Sequence, residues 1–215
     1  MDTSRPLDQG LDQIKTLILK MGRLAEDSLR ISIDGFHKRE DVYVQLMAWS
    51  NTILILSEEV EDRATELIAL HHPMAGDLRS LKAYIKIAYD LERFGRYALN
   101  ISELFPTLGS WEPFENGSLT IDLMGEKVLE IVGLALKLIE TRDQSLIWTL
   151  SEFEARTDEL YHENLKALGE SERSKAQTII ADLLLIRYLE RIADHASYIA
   201  ESITYATTGK RITLR

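Results

Sequence analysis

The segments YDLERFGRYALNISE (Tyr89–Glu103) and RYLERIADHASYIAE (Arg187–Glu201) decide the fold, because they are nearly the same segment. In each, Leu-Glu-Arg is followed two positions on by a small residue, Gly95 or Ala193. Both close on Ile-x-Glu. A motif that returns after about half of the 215 residues means two similar halves. The halves differ at one chemical position, where the second has Asp194 and the first has Arg96.

Apolar residues around these segments recur every three or four positions. Leu7, Leu11, Ile14, Ile18 and Met21 do so, as do Ile179, Leu183, Ile186, Leu189, Ala193, Ala196 and Ala200. That is helical spacing, and no stretch alternates with the period of a strand. The spacing predicts six long helices, over 7–36, 42–70, 75–105, 119–140, 144–168 and 172–207. Asp41, Ser118, Asp143 and Ser171 stand where N-caps belong, and Gly169 and Gly209 where helices should stop. The four prolines, Pro6, Pro73, Pro106 and Pro113, all read as punctuation. PTLGSWEPFENGS (Pro106–Ser118) is the richest in turn formers and marks the boundary between halves. The expected fold is all-α, two tandem three-helix bundles, with the first in residues 1–108, a linker at 109–117 and the second in 118–215.

Composition narrows the function classes. The net charge is −10, which argues against a nucleic-acid surface. There is no Cys, which excludes disulfides, thiolate metal sites and Cys nucleophiles. The N-terminal stretch lacks the apolar core of a secretory signal, and no run reaches the ~18–20 residues of a membrane span. No phosphate-binding loop, nucleophile elbow or dinucleotide fingerprint is present, so an enzyme has little support.

The carboxylates carry the remaining chemistry. Residues four apart share a helix face, so Glu190 pairs with Asp194 and Glu154 with Asp158. Glu201 lies two turns beyond Asp194. Side-by-side packing of the fifth and sixth helices would bring these groups together. Crowded carboxylates need a counter-charge. Arg156, Arg187 and Arg191 can supply it, or a hard cation such as Mg, Ca, Mn or Fe can. In the first half Glu92 and Arg96 form an i, i+4 pair of opposite sign. Glu58 and Asp62 repeat the spacing, but in a register that differs from the one placing Ser50 and Leu54 opposite Glu154 and Asp158.

Other candidates have plain readings beside functional ones. His195 is a helix-face residue bonded locally, or a ligand. Glu159-x-x-His162 has the spacing of a ferritin-like di-iron helix, but such sites need the motif twice. His71 and His72 belong to a turn. Trp49, Trp111 and Trp148 default to core packing, with Trp111 alternatively exposed for a partner. Tyr188, Ile192, Ile199 and Ile203 form a stripe for core or subunit contact.

These residues together resemble the PhoU family of phosphate-uptake regulators, over nearly the whole chain. LILKMGRLAEDSL (Leu17–Leu29) resembles the family's opening helix, and LIALHHPMAGDLR (Leu67–Arg79) its turn between second and third helices. The two Leu-Glu-Arg segments resemble its signatures, and Thr208-Gly209-Lys210 its ending. The resemblance implies an E(D)-x-x-x-D motif on each repeat that binds iron, zinc, magnesium or manganese. Carried over by position, it is intact only in the second bundle, at Glu154, Asp158, Glu190 and Asp194, with Glu201 as an outlying candidate. In the first, Ser50, Leu54 and Arg96 replace carboxylates, so metal is expected on the second bundle only. The resemblance further implies a cytoplasmic, non-enzymatic adaptor that dimerises. It would restrain phosphate import through the ATPase subunit of an ABC transporter and pass phosphate status to a sensor histidine kinase. The competing readings are a metal-storage bundle or metal-dependent enzyme, and a plain helical scaffold whose carboxylates are solvated.

Overall fold

The computed structural model describes residues 5–109, 111–112, 114, 119–171 and 174–214. It contains α1 (Pro6–Lys38), α2 (Tyr43–His71), α3 (Gly76–Ser102), a short α4 (Leu104–Leu108), α5 (Ile121–Thr141), α6 (Leu146–Gly169) and α7 (Ala176–Thr208). Helices α1, α2 and α3 pack on one another, and so do α5, α6 and α7. The two sets meet where α3 lies on α7 and α1 on α5, leaving α2 and α6 on the outside. One continuous apolar core runs through both sets.

The repeat is visible in what is buried. The shift that carries Glu92 onto Glu190 also carries Ile87 onto Leu185, Leu91 onto Leu189, Phe94 onto Ile192 and Ala98 onto Ala196, all buried. A slightly different shift relates the outer helices. It carries Leu46 onto Leu150, Ile53 onto Thr157, Leu56 onto Leu160 and Ala64 onto Leu168, again all buried. This is the register that sets Ser50 against Glu154 and Leu54 against Asp158. Glu58 and Asp62 face solvent. The small residue of the repeated motif has a steric reason. A Cβ on Gly95 would come within 2.8 Å of Ile53 Cδ1, so its absence lets α2 lie close against α3.

Helix starts differ from the sequence reading. Asp41 and Asp143 do act at turns, where their Oδ1 atoms accept the N–H of Tyr43 and Ser145, both at 3.0 Å. The residues preceding the helices are Val42 and Ser145, however, and neither caps with its side chain. Ser171 accepts the Ser174 N–H, but α7 begins only at Ala176. Ser118 and Glu172 lie outside the described residues. Pro106 does not end helical structure. It sits in the first turn of α4, where a missing N–H costs nothing. Gly209 does end α7, at φ 74°. Trp111 is buried against Phe36 and Phe105, with the Arg39 Nε donating to its carbonyl at 2.8 Å. Trp148, by contrast, is 78% exposed rather than core.

Asp182 marks where the packing is electrostatically costly. It is 5% exposed, and burial pushes its carboxyl up to about 6, only partly opposed by the Arg39 guanidinium. The unfolded chain releases this proton near the ordinary value of 3.8. Between those two pH values the folded state binds the extra proton, so stability falls as pH rises through the window. Asp182→Asn should therefore stabilise the protein above pH 6, by up to roughly 3 kcal/mol. The gain should vanish toward pH 4, as read by denaturant unfolding at a series of pH values.

A candidate acidic site on the second bundle

The amphipathic faces of α6 and α7 place four carboxylates in one wall. α6 buries Leu150, Thr157 and Leu160, which turns Glu154 and Asp158 toward the side of α7. α7 buries Leu189, Ile192, Ala193 and Ala196, which turns Glu190 and Asp194 toward α6. Glu154, Asp158, Glu190 and Asp194 accordingly line one open pocket of about 600 Å³. Glu159, Arg191 and Tyr198 complete its polar lining.

The counter-charge in this structure is arginine. Arg187 Nη1 lies 2.9 Å from Glu190 Oε2, and Arg191 Nε lies 3.4 Å from the same oxygen. Arg191 Nη1 reaches Asp194 Oδ2 at 3.2 Å, so one guanidinium bridges the two carboxylates of α7. Burial pushes the Glu190 carboxyl up, and Asp194 and Asp158 push it the same way. Arg187 and Arg191 pull it back down. Among the described residues no group of three or more His, Asp or Glu side chains stands close enough to hold a metal ion. The donor chemistry nonetheless fits a hard cation. It is all carboxylate oxygen, drawn from two helices, and Arg191 already bridges Glu190 and Asp194 as a cation would.

The other candidates fall elsewhere. Glu201 does not line this pocket; its Oε1 accepts the Leu214 N–H at 3.1 Å. His195 turns toward the first bundle, where its Nδ1 lies 2.8 Å from Asp90 Oδ1 and the rings of Tyr89, Tyr97 and Tyr198 surround it. Asp90 was not singled out from sequence, although it is an acid set among apolar residues of the repeated segment. Glu159 and His162 both face solvent. Glu159 pairs with Arg156 at 2.8 Å, and His162 lies 3.7 Å from Asp158, so the ferritin-like spacing is not turned inward. Tyr188 is half-buried beside Tyr97, while Ile192, Ile199 and Ile203 are core. On the first bundle Arg96 Nε lies 3.6 Å from Glu92 Oε1. Ser50 is buried, and its hydroxyl finds no hydrogen-bond partner among the described residues. The Glu92–Arg96 pair thus carries its own cation where the second bundle has Asp194.

Comparison with known proteins follows the same two units. A family model described as PhoU domain matches residues 18–105 and again 121–203. A protein of Zymomonas mobilis named phosphate-specific transport system accessory protein PhoU homolog is 31% identical over 214 residues, 98% of this chain and 90% of that one. A Caulobacter vibrioides protein of the same name is 31% identical, covering 98% and 94%. The crystal structure of PhoU from Pseudomonas aeruginosa superposes with a TM-score of 0.86 at 23% identity, covering 94% of this chain and 99% of that one. That of the phosphate transport system regulatory protein PhoU from Streptococcus pneumoniae gives 0.87 at 19% identity, covering 96% and 99%.

Arg191 lowers the Glu190 proton affinity, so its removal has a defined sign. Arg191→Gln should raise the Glu190 pKa, followed by carboxyl-carbon NMR titration, while Arg156→Gln should leave it in place. An unchanged Glu190 titration in Arg191→Gln would show that the bridge does not persist in solution.

Proposed function

This chain belongs to the PhoU domain family, and we propose that it is a cytoplasmic negative regulator of phosphate uptake, acting by contact with other proteins. The observation that carries the reading is the full-length match across both repeats to relatives named as phosphate transport accessory proteins. The partners of this reading are the ATPase subunit of a phosphate ABC transporter and a sensor histidine kinase, with a second copy of the chain as homodimer partner. No helix among the described residues is long and apolar enough to cross a membrane. In this reading the chain reaches the inner membrane face through its partners. The work done is a shift of a partner's conformational equilibrium, which requires only that one partner state be bound better than the other. A bundle with two exposed outer helices offers surface for that, and nothing in the chain is asked to turn over a substrate.

A metal ion on the second bundle belongs to the same reading. Glu154, Asp158, Glu190 and Asp194 would hold it, and it would supply positive charge that ties α6 to α7. Mg, Mn, Fe or Zn are the ions the resemblance names, and the oxygen donors favour the harder of them. The rival reading, a metal-storage bundle or metal-dependent enzyme, draws on the same pocket. The single Glu159-x-x-His162, with no second copy of the motif in the chain, weakens it.

Cells lacking the chain should import phosphate at an unrestrained rate in phosphate-replete medium and misreport phosphate status, measured by labelled-phosphate uptake and a starvation reporter. Unchanged uptake and reporter output would end the regulatory reading. Separately, the native chain dialysed against manganese should retain metal, and the Glu154→Gln/Asp194→Asn double variant should not. No retention by the native chain would remove the metal and leave the regulator.

A further inference from the structure

The chain carries 35 acidic against 25 basic residues. Against that balance, one cleft on the molecule has a positive wall. It lies between α3, α7 and the tail after α7, encloses about 270 Å³, and is lined by Lys82, Lys86, Glu201, Tyr205, Arg211 and Thr213 among others. Lys82 and Lys86 stand four apart on α3, so they share a face and repel one another. Lys86 lies over the Tyr198 ring at 5.5 Å, and Arg211 over the Tyr205 ring at 5.2 Å. Among the described residues none of the three cations forms a direct ion pair with a carboxylate, although Lys86 is near enough to Asp90 for its charge to favour that carboxylate.

The third cation is fixed by the tail. Gly209 turns the chain off α7, and Leu214 is buried with its N–H on Glu201. Ile212 packs against the core between them. Arg211 is therefore held at the mouth of the cleft by anchors on both sides, with its guanidinium laid on Tyr205. Glu201 is the acid in the wall. One of its oxygens is engaged by the tail, and three cations outweigh it.

The second repeat provides an internal control. The shift that carries Glu92 onto Glu190 carries Lys82 onto Ile180 and Lys86 onto Leu184. Ile180 is 43% exposed there, so this position on the helix folds without a charge. The lysines of α3 are not required by the bundle. They concentrate like charge in a concavity, a cost that a bound anion would offset.

We propose that this cleft binds a phosphate group, held by Lys82, Lys86 and Arg211. Its volume is below the roughly 300–1,000 Å³ of drug-sized sites, which suits an ion of few atoms. Arginine presents a planar fork to phosphate oxygens, and lysine a mobile point charge. The hydroxyls of Tyr205 and Thr213 are at hand in the wall. The group comes either from a free ion or from a lipid headgroup. The site uses none of the four carboxylates of the acidic pocket and needs no protein partner, so its failure leaves the regulatory reading standing.

The test is calorimetric titration of the full chain with inorganic phosphate, against chloride at matched ionic strength. It is run beside sedimentation with phosphatidylglycerol and phosphatidylcholine vesicles. Saturable phosphate binding is expected, weakened about tenfold or more by Lys86→Gln or Arg211→Gln. Lys166→Gln, an exposed cation on α6, should leave it unchanged. Binding of free phosphate assigns the site to a soluble ligand. Binding only to phosphatidylglycerol vesicles, with the same dependence on Lys86 and Arg211, assigns it to a headgroup. No binding in either arm, or equal weakening by Lys166→Gln, overturns the proposal. Circular dichroism of the variants confirms that each is folded.

Discussion

The rotation of α7 about its own axis is the constraint on which the rest of the molecule depends. The buried apolar stripe of α7 sets it, and the Asp90–His195 bond pins it across the seam. Asp90 is 1% exposed, and a carboxylate so buried is costly unless it is paired. Its Oδ1 meets His195 Nδ1 at 2.8 Å across the seam between the bundles, while Oδ2 has no hydrogen-bond partner among the described residues. Burial pushes the Asp90 carboxyl up, and the bond to His195 holds it back. Because His195 adjoins Asp194, turning His195 inward to α3 leaves Asp194 and Glu190 facing α6. The acidic pocket is thus a consequence of how the two bundles are joined, as well as of what α6 and α7 carry.

Duplication has divided the chemistry between the two repeats. The outer helix of the second bundle presents Glu154 and Asp158, where the first presents a buried Ser50 and Leu54. The inner helix of the first bundle presents Arg96, Lys82 and Lys86, where the second presents Asp194, Ile180 and Leu184. Most buried apolar positions meanwhile correspond between the halves, with buried Asp90 set against half-buried Tyr188 among the exceptions. The scaffold is held by apolar packing common to both halves, and the charged faces have diverged freely because they are not needed for it.

The helices were legible in sequence because apolar periodicity and burial are the same quantity read two ways. The repeated Leu-Glu-Arg segment gave their pairing. Helix starts were less legible. α2, α6 and α7 begin without a side-chain cap, and Asp41, Asp143 and Ser171 serve neighbouring turns instead. The acidic pocket could be read from spacing plus register, and its Arg187 and Arg191 partners from their place one turn away. The Asp90–His195 bond could not be, since it joins residues 105 apart through a packing of bundle on bundle that no local pattern encodes. The exposure of Trp148 is illegible for a related reason, because a lone large apolar residue says nothing about which face it occupies.

The outer position of α6 has a dynamic meaning. α6 contacts only α5 and α7 appreciably, whereas α7 is packed against α3, α5 and α6 and touches α4. A helix with fewer buried neighbours opens more readily, so its amides should exchange through local excursions that leave the seam helices closed. Two of the four carboxylates ride on that looser element and two on the rigid one. The pocket between them is therefore a gap with one fixed jaw and one movable jaw. Whatever neutralises its charge also sets how often the second bundle breathes.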